Sequence, residues 1–195
     1  MVQTPNSKPA TPHSTLQTED IDQRAQRIKL LLMDCDGVLT DGRLFLLPDG
    51  DELKSFNAHD GHGIKLFHRA GLKTGIISGR KSSAVERRAR ELGMSYLRES
   101  ALDKLKVLEE LLAETGLSPE QCAYVGDDLP DVPIMRRVGF AIAVADAVEE
   151  TRQAAHYVTQ RKGGHGAVRE TVELILKAQG RWDELMKRYV QSVLT

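Results

Sequence analysis

Cysteine is scarce in this chain of 195 residues, which has only Cys35 and Cys122. Two thiols make no disulfide framework. Cys35 ends one apolar run and Cys122 begins another, so a parallel sheet would hold them at opposite rims, too far apart to bridge, and both read as reduced core residues. Also missing is any apolar segment long enough for a membrane span, and the N-terminus lacks the apolar stretch of a secretory signal. The expectation is a cytoplasmic protein with no membrane partner. An excess of one charge is lacking too: 27 Lys and Arg stand against 28 Asp and Glu, a net charge of −1. That balance gives no reason to expect nucleic acid as a partner. His59 and His62 have the spacing of a metal pair, but no Cys or acidic set with zinc-site spacing accompanies them. No internal repeat is visible.

What is present is a chain with 41% hydrophobic residues, enough for one substantial core and hence one domain. Residues 1–20 mix Thr, Pro, Ser, Gln and Asn and read as a flexible tail. A domain over 21–180 follows, then a helical tail over 181–195 in which Trp182, Leu185, Met186 and Tyr189 recur at helical spacing. Within the domain, strands are expected at 28–34, 73–78, 95–98, 122–126, 140–144 and 156–159. Helices are expected at 60–70, 82–92, 103–115, 129–138, 147–155 and 165–178, with a last one at 181–190 in the tail. Such alternation predicts an α/β fold with a doubly wound, Rossmann-like parallel sheet. One insertion breaks the rhythm. Residues 43–47, the turn signal at 48–51 and residues 52–56 read as a β-hairpin flap within 43–57. No stretch is long enough for a separate cap domain.

The chemistry gathers at strand ends. Asp34 and Asp36 follow the apolar run Ile28-Lys29-Leu30-Leu31-Leu32-Met33, where side-chain alternation lets them share a face while Cys35 points away. Two carboxylates there suit a divalent cation and a phosphate ester. Thr74-Gly75-Ile76-Ile77-Ser78-Gly79-Arg80 is a second strand ending in a hydroxyl. Asp103-Lys104 opens a helix, and Gln121-Cys122-Ala123-Tyr124-Val125-Gly126-Asp127-Asp128 is a strand ending in two acids. In a parallel sheet these ends converge on one rim.

In order and content these segments resemble the haloacid dehalogenase superfamily of phosphohydrolases. The segments at 34–42, 57–64, 126–131 and 163–170 are similar to its 3-deoxy-D-manno-octulosonate 8-phosphate phosphatase family. The resemblance implies a Mg²⁺-dependent hydrolysis of a sugar-acid phosphate monoester in lipopolysaccharide precursor synthesis. It assigns Asp34 as nucleophile forming an aspartyl-phosphate and Asp36 as general acid and base. Mg²⁺ would be held by the Asp34 and Asp127 carboxylates and the Asp36 backbone carbonyl, and phosphate by Ser78 and Lys104. Substrate contacts would come from Asp36, Asn57, Ala58, His59, Asp60, Gly61, Lys65, Arg80 and Arg88. His59 and His165 stand where these enzymes often carry a basic residue. Asp128 and Asp131 could orient waters on the metal or complement the helix that Pro130 helps to start. The resemblance further implies a homotetramer with the hairpins at its centre and the tail reaching a neighbour. Alternatives are a nonulosonate 9-phosphate phosphatase, a phosphate-receiver signalling domain, and a catalytically silent module on this fold.

Overall fold

Leu30–Met33 form β1, and all four side chains have no exposure, as expected of a strand covered on both faces. The computed structural model describes residues 21–48 and 50–191. The expected flexible tail over 1–20 and the last four residues of the C-terminal tail lie outside the described residues. Residues 21–26 form a short helix, α1, that the apolar pattern does not announce.

The flap supplies β2 (Phe45–Leu46) and β3 (Glu52–Leu53), paired antiparallel with Phe45 opposite Leu53. Its ladder is much shorter than the expected arms over 43–47 and 52–56. Then come α2 (Ala58–Arg69), β4 (Lys73–Ile77), α3 (Ser83–Leu92), β5 (Tyr96–Arg98) and α4 (Lys104–Thr115). The second half runs β6 (Cys122–Gly126), α5 (Val132–Met135), β7 (Phe140–Ala143), α6 (Glu149–Ala154), β8 (Tyr157–Val158), α7 (Ala167–Ala178) and α8 (Trp182–Gln191). The expected helix over 129–138 is a 3-10 turn at Leu129–Asp131 followed by the single turn of α5. Pro130 and Pro133 lack the amide hydrogens that a longer regular helix would use.

The main sheet has the order β5-β4-β1-β6-β7-β8, and every pairing is parallel. Helices α2, α3 and α7 gather on one face, and α4, α5 and α6 on the other. The strand order reverses between β1 and β6, the place where a doubly wound sheet opens its ligand crevice. Register then aligns the chemistry. Met33 sits beside both Ile76 and Val125, so residues just past β1, β4 and β6 emerge together at the carboxyl rim. Cys122 pairs with Leu30 at the opposite end, and both cysteines are buried and free.

The tail helix α8 packs back on its own domain. Trp182, Leu185 and Met186 are partly buried against the core, and the Trp182 ring lies beneath Arg169 and Lys177. At its far end the Tyr189 hydroxyl meets Arg69 and His62.

Candidate active site

Past β1 the backbone coils tightly: the amides of Val38, Leu39 and Thr40 all donate to the Cys35 carbonyl. The turn needs Gly37 at φ +91°, and a Cβ there would lie 2.0 Å from Asp127 Oδ2. Glycine therefore admits the acid from β6 to the acids from β1. A second glycine loop braces the coil from behind. Gly164 donates to the Val38 carbonyl, and a Cβ at Gly163 would lie 1.7 Å from the Gly37 carbonyl oxygen.

Lys104, the first residue of α4, reaches under this loop. Its Nζ lies 3.1 Å from Asp34 Oδ1 and 2.6 Å from Asp131 Oδ1. Asp131 is fully buried, accepting from the Tyr124 hydroxyl at 2.7 Å and from the amides of Asp127 and Asp128. These bonds fix the Lys104 head and the β6 loop together. Asp128, by contrast, is exposed and accepts from the Leu129 amide, which caps the 3-10 turn.

Burial pushes the Asp34 carboxyl up to about 6, with Lys104 pulling it back and Asp131 pushing it further. Burial and the charges of Asp131 and Asp34 push Asp127 up to about 8. Oxygens of Asp34, Asp127 and Asp131 lie within 4.8 Å of one another, and Asp127 Oδ1 is buried without a hydrogen-bond partner. An unbonded carboxylate oxygen beside like charges needs a cation. The donors are hard oxygens, so the site fits Mg²⁺. Asp131 is already engaged by four donors, leaving Asp34 and Asp127 as the carboxylates able to take the ion.

Asp34, Asp36, Ser78, Arg80, Lys104 and Asp127 line one cavity of about 300 Å³. Ser78 is buried at the end of β4, and its hydroxyl accepts from the Arg80 amide. The other sequence-chosen residues stand apart from this cavity. Ala58 and Arg88 line a neighbouring groove with Phe56 and Lys54, where the Arg88 guanidinium lies over the Phe56 ring. Gly61 packs against Arg88. Asn57 caps α2, accepting from the His59 amide and donating to the Gly164 carbonyl. His59 and Lys65 are exposed on α2. Asp60 is buried at the start of α7, where its carboxylate accepts from the amides of Gly166 and Arg169. His165 is exposed, with Nδ1 against the Gly163 carbonyl.

Two flap residues not chosen from the sequence belong to the site. Lys54 Nζ donates to Asp36 Oδ1 at 2.5 Å and pairs with Glu52 at 2.9 Å. Glu52 also pairs with Arg80, whose Nε stands 3.9 Å from Asp36 Oδ2. Alternation along β3 puts positions 52 and 54 on one face, a pattern legible in Glu52-Leu53-Lys54 once the arm is read as a strand.

A parallel sheet with acids, a hydroxyl and an ammonium at one rim fits a haloacid dehalogenase-like hydrolase, and a family model of that description matches residues 97–170. A 3-deoxy-D-manno-octulosonate 8-phosphate phosphatase, KdsC, of Yersinia pestis is 47% identical over 163 residues, 84% of this chain and 87% of that protein. A solved probable YrbI-family phosphatase from Pseudomonas syringae superposes with TM-score 0.86 at 52% identity, covering 88% of this chain and 98% of that one. The Moraxella catarrhalis 3-deoxy-D-manno-octulosonate 8-phosphate phosphatase, solved with magnesium, phosphate and a KDO molecule, has TM-score 0.86 at 43% identity, covering 88% and 98% of the respective chains. The chain belongs to the 3-deoxy-D-manno-octulosonate 8-phosphate phosphatase family.

Proposed function

We propose that this protein hydrolyses 3-deoxy-D-manno-octulosonate 8-phosphate to the free sugar acid and phosphate. The carrying observation is the single cavity in which Asp34 and Asp36 face Ser78, Lys104 and Asp127. Family membership supplies the substrate and, with it, a place in lipopolysaccharide precursor synthesis.

Asp34 is held for attack, its carboxylate oriented by Lys104 at the rim of the central strand. As its oxygen bonds to phosphorus, the bond from phosphorus to the sugar oxygen breaks, and Asp36 gives that oxygen a proton. Water then attacks the aspartyl-phosphate, Asp36 takes the water's proton, and the Asp34 carboxylate is regenerated. The Ser78 hydroxyl and Lys104 ammonium hold phosphoryl oxygens throughout. Asp34, Asp127 and the Asp36 carbonyl would hold Mg²⁺, which when bound screens the phosphate charge from the attacking carboxylate. Arg80, Arg88, Lys65, His59 and the rest of the 57–61 segment are assigned to the sugar-acid side of the substrate, with Asp60, its carboxylate buried against two amides of the α7 start, bracing that segment from behind. Its carboxylate calls for cations beyond the phosphate cradle.

The working unit in this reading is a homotetramer. Its support is the flap, where Phe45 is 50% and Leu46 72% exposed. The compartment is the cytoplasm, which agrees with two reduced, buried thiols.

Turnover on 3-deoxy-D-manno-octulosonate 8-phosphate, a nonulosonate 9-phosphate and glucose 6-phosphate tests the assignment. The octulosonate ester is expected to have the highest kcat/KM, and Asp34→Asn to abolish its turnover while the fold survives. Preference for the nonulosonate ester, or activity retained without the Asp34 carboxylate, would remove the reading.

A further inference from the structure

Lys54 is a lysine whose side chain is 2% exposed, yet it comes from the flap, whose residues 43–48 are all exposed. From just past β3 it crosses 18 positions of sequence to meet Asp36 and also pairs with Glu52. Arg80 closes the set from the other side, touching Glu52 and Asp36 while 47% exposed. Two cations and two carboxylates balance, so the cluster is not an uncompensated charge. A buried ion pair is weak evidence for stability, because the cost of desolvating both partners offsets their attraction. Here the better account is geometric. A carboxylate that must aim one proton at a sugar oxygen gains from a fixed orientation.

We propose that Lys54 is the positioning residue of Asp36: seating the flap fixes the carboxylate that exchanges the proton, so flap placement and leaving-group protonation are coupled. The inference rests on the reading of Asp36 as general acid and deepens it. When Asp36 releases its proton to the departing oxygen, the new carboxylate is received by the Lys54 ammonium already beside Oδ1. Lys54 itself keeps its proton and stays clear of the phosphorus chemistry. The same contact gives the hairpin an anchor at the site that its two-residue strands do not supply.

Lys54→Met, Asp36→Asn and the double variant are compared on two esters. One is 3-deoxy-D-manno-octulosonate 8-phosphate, whose alkoxide needs a proton to leave. The other is 4-nitrophenyl phosphate, whose phenolate does not. Because kcat/KM reports events from free enzyme and ester up to the first departure, the contrast between the two esters, read with the Asp36→Asn cycle, reports leaving-group protonation. Lys54→Met is expected to cost about 30-fold on the sugar ester and at most about 3-fold on the aryl ester, less than the roughly 100-fold or more that the acid itself supplies. The double variant is expected to be no worse than Asp36→Asn, and Lys54→Arg to recover much of the loss. Equal losses on both esters, or losses that multiply in the double variant, overturn the proposal and leave Lys54 a structural tie. Should Asp36→Asn itself fail to discriminate between the esters, the acid reading of Asp36 falls, and that failure is seen without any Lys54 variant. Thermal unfolding screens for misfolding, and Lys54→Gln carries the same comparison if the methionine variant does not fold.

Discussion

At the scale of single residues, the site is a balance of buried charge. Asp131 carries no substrate role here, yet it accepts from Lys104, Tyr124 and two amides in a fully buried position. Asp131→Ala leaves the Lys104 ammonium without its nearest partner and strands two amides. The expected cost is about 3–5 kcal/mol in denaturant unfolding, the range for breaking a buried pair. Asp127 behaves in the opposite way, since burial and like charges already press its carboxyl toward the neutral form. Asp127→Asn is therefore expected to leave metal-free protein as stable as the parent or more so, while abolishing stabilisation by Mg²⁺. For the parent, Mg²⁺ at a hundredfold excess over Kd adds about 2.7 kcal/mol, readable as a thermal shift and reversed by chelation. A thermal shift from Mg²⁺ that persists in Asp127→Asn would place the ion elsewhere. Ser100 is a smaller case. Its φ of +55° is rare for a non-glycine residue, and it sits in the loop that delivers Lys104.

At the scale of elements, glycine loops and caps decide where the acids go. The family resemblance makes Asp60 a substrate contact, and the structure buries its carboxylate against the amides of Gly166 and Arg169 at the start of α7. Asp60→Asn keeps the shape but turns one acceptor into an NH2 donor facing an amide N–H and weakens the other, so a loss of about 1–2 kcal/mol in stability is expected from the cap alone. A rise in KM exceeding the change in folded fraction would give Asp60 the substrate role as well. The main strands were legible because they are short, continuous apolar runs closed by polar residues, and β1 needs nothing more than Leu30 to Met33 to be recognised. The strand-end groups were legible for the same reason: a parallel sheet sends Asp34, Ser78 and Asp127 to one rim whatever the loops do. The helix expected over 129–138 was not, because Pro130 and Pro133 permit a helix start as readily as they shorten one. Lys54 was legible only in part: alternation places it on one face with Glu52, but not over Asp36. Its partner lies 18 residues back, and no periodicity encodes how a hairpin folds over a rim.

At the scale of the whole molecule, the described residues leave one apolar surface uncovered. Leu44, Phe45, Leu46, Leu47 and Leu53 are 42–72% exposed, all on one hairpin whose ladder has two residues per strand. A hairpin of that size is marginal in water, and a contiguous apolar patch on one marks an interaction surface. The tail is different: α8 lies on its own α7 through Trp182, and only Tyr189 and Val190 near its end stand substantially exposed among its large apolar residues. Among the described residues, the proposed assembly therefore draws its support from the flap more than from the tail. Self-association of flaps would also hold Glu52 and Lys54 over Asp36, which links quaternary state to the site through bonds present in one chain. Phe45→Glu with Leu46→Glu places two charges where copies would meet, and these side chains do not line the Asp36 cavity. The expected outcome in sedimentation at assay concentration is a shift from tetramer to monomer, with sugar-phosphate kcat/KM falling by about tenfold or more as the flap loses its support. The domain should stay folded, since neither side chain is in the core, while its thermal transition loses whatever subunit association adds. A parent protein that sediments as a monomer with full turnover would refute the assembly, and a charged variant that stays tetrameric would move the interface away from the flap.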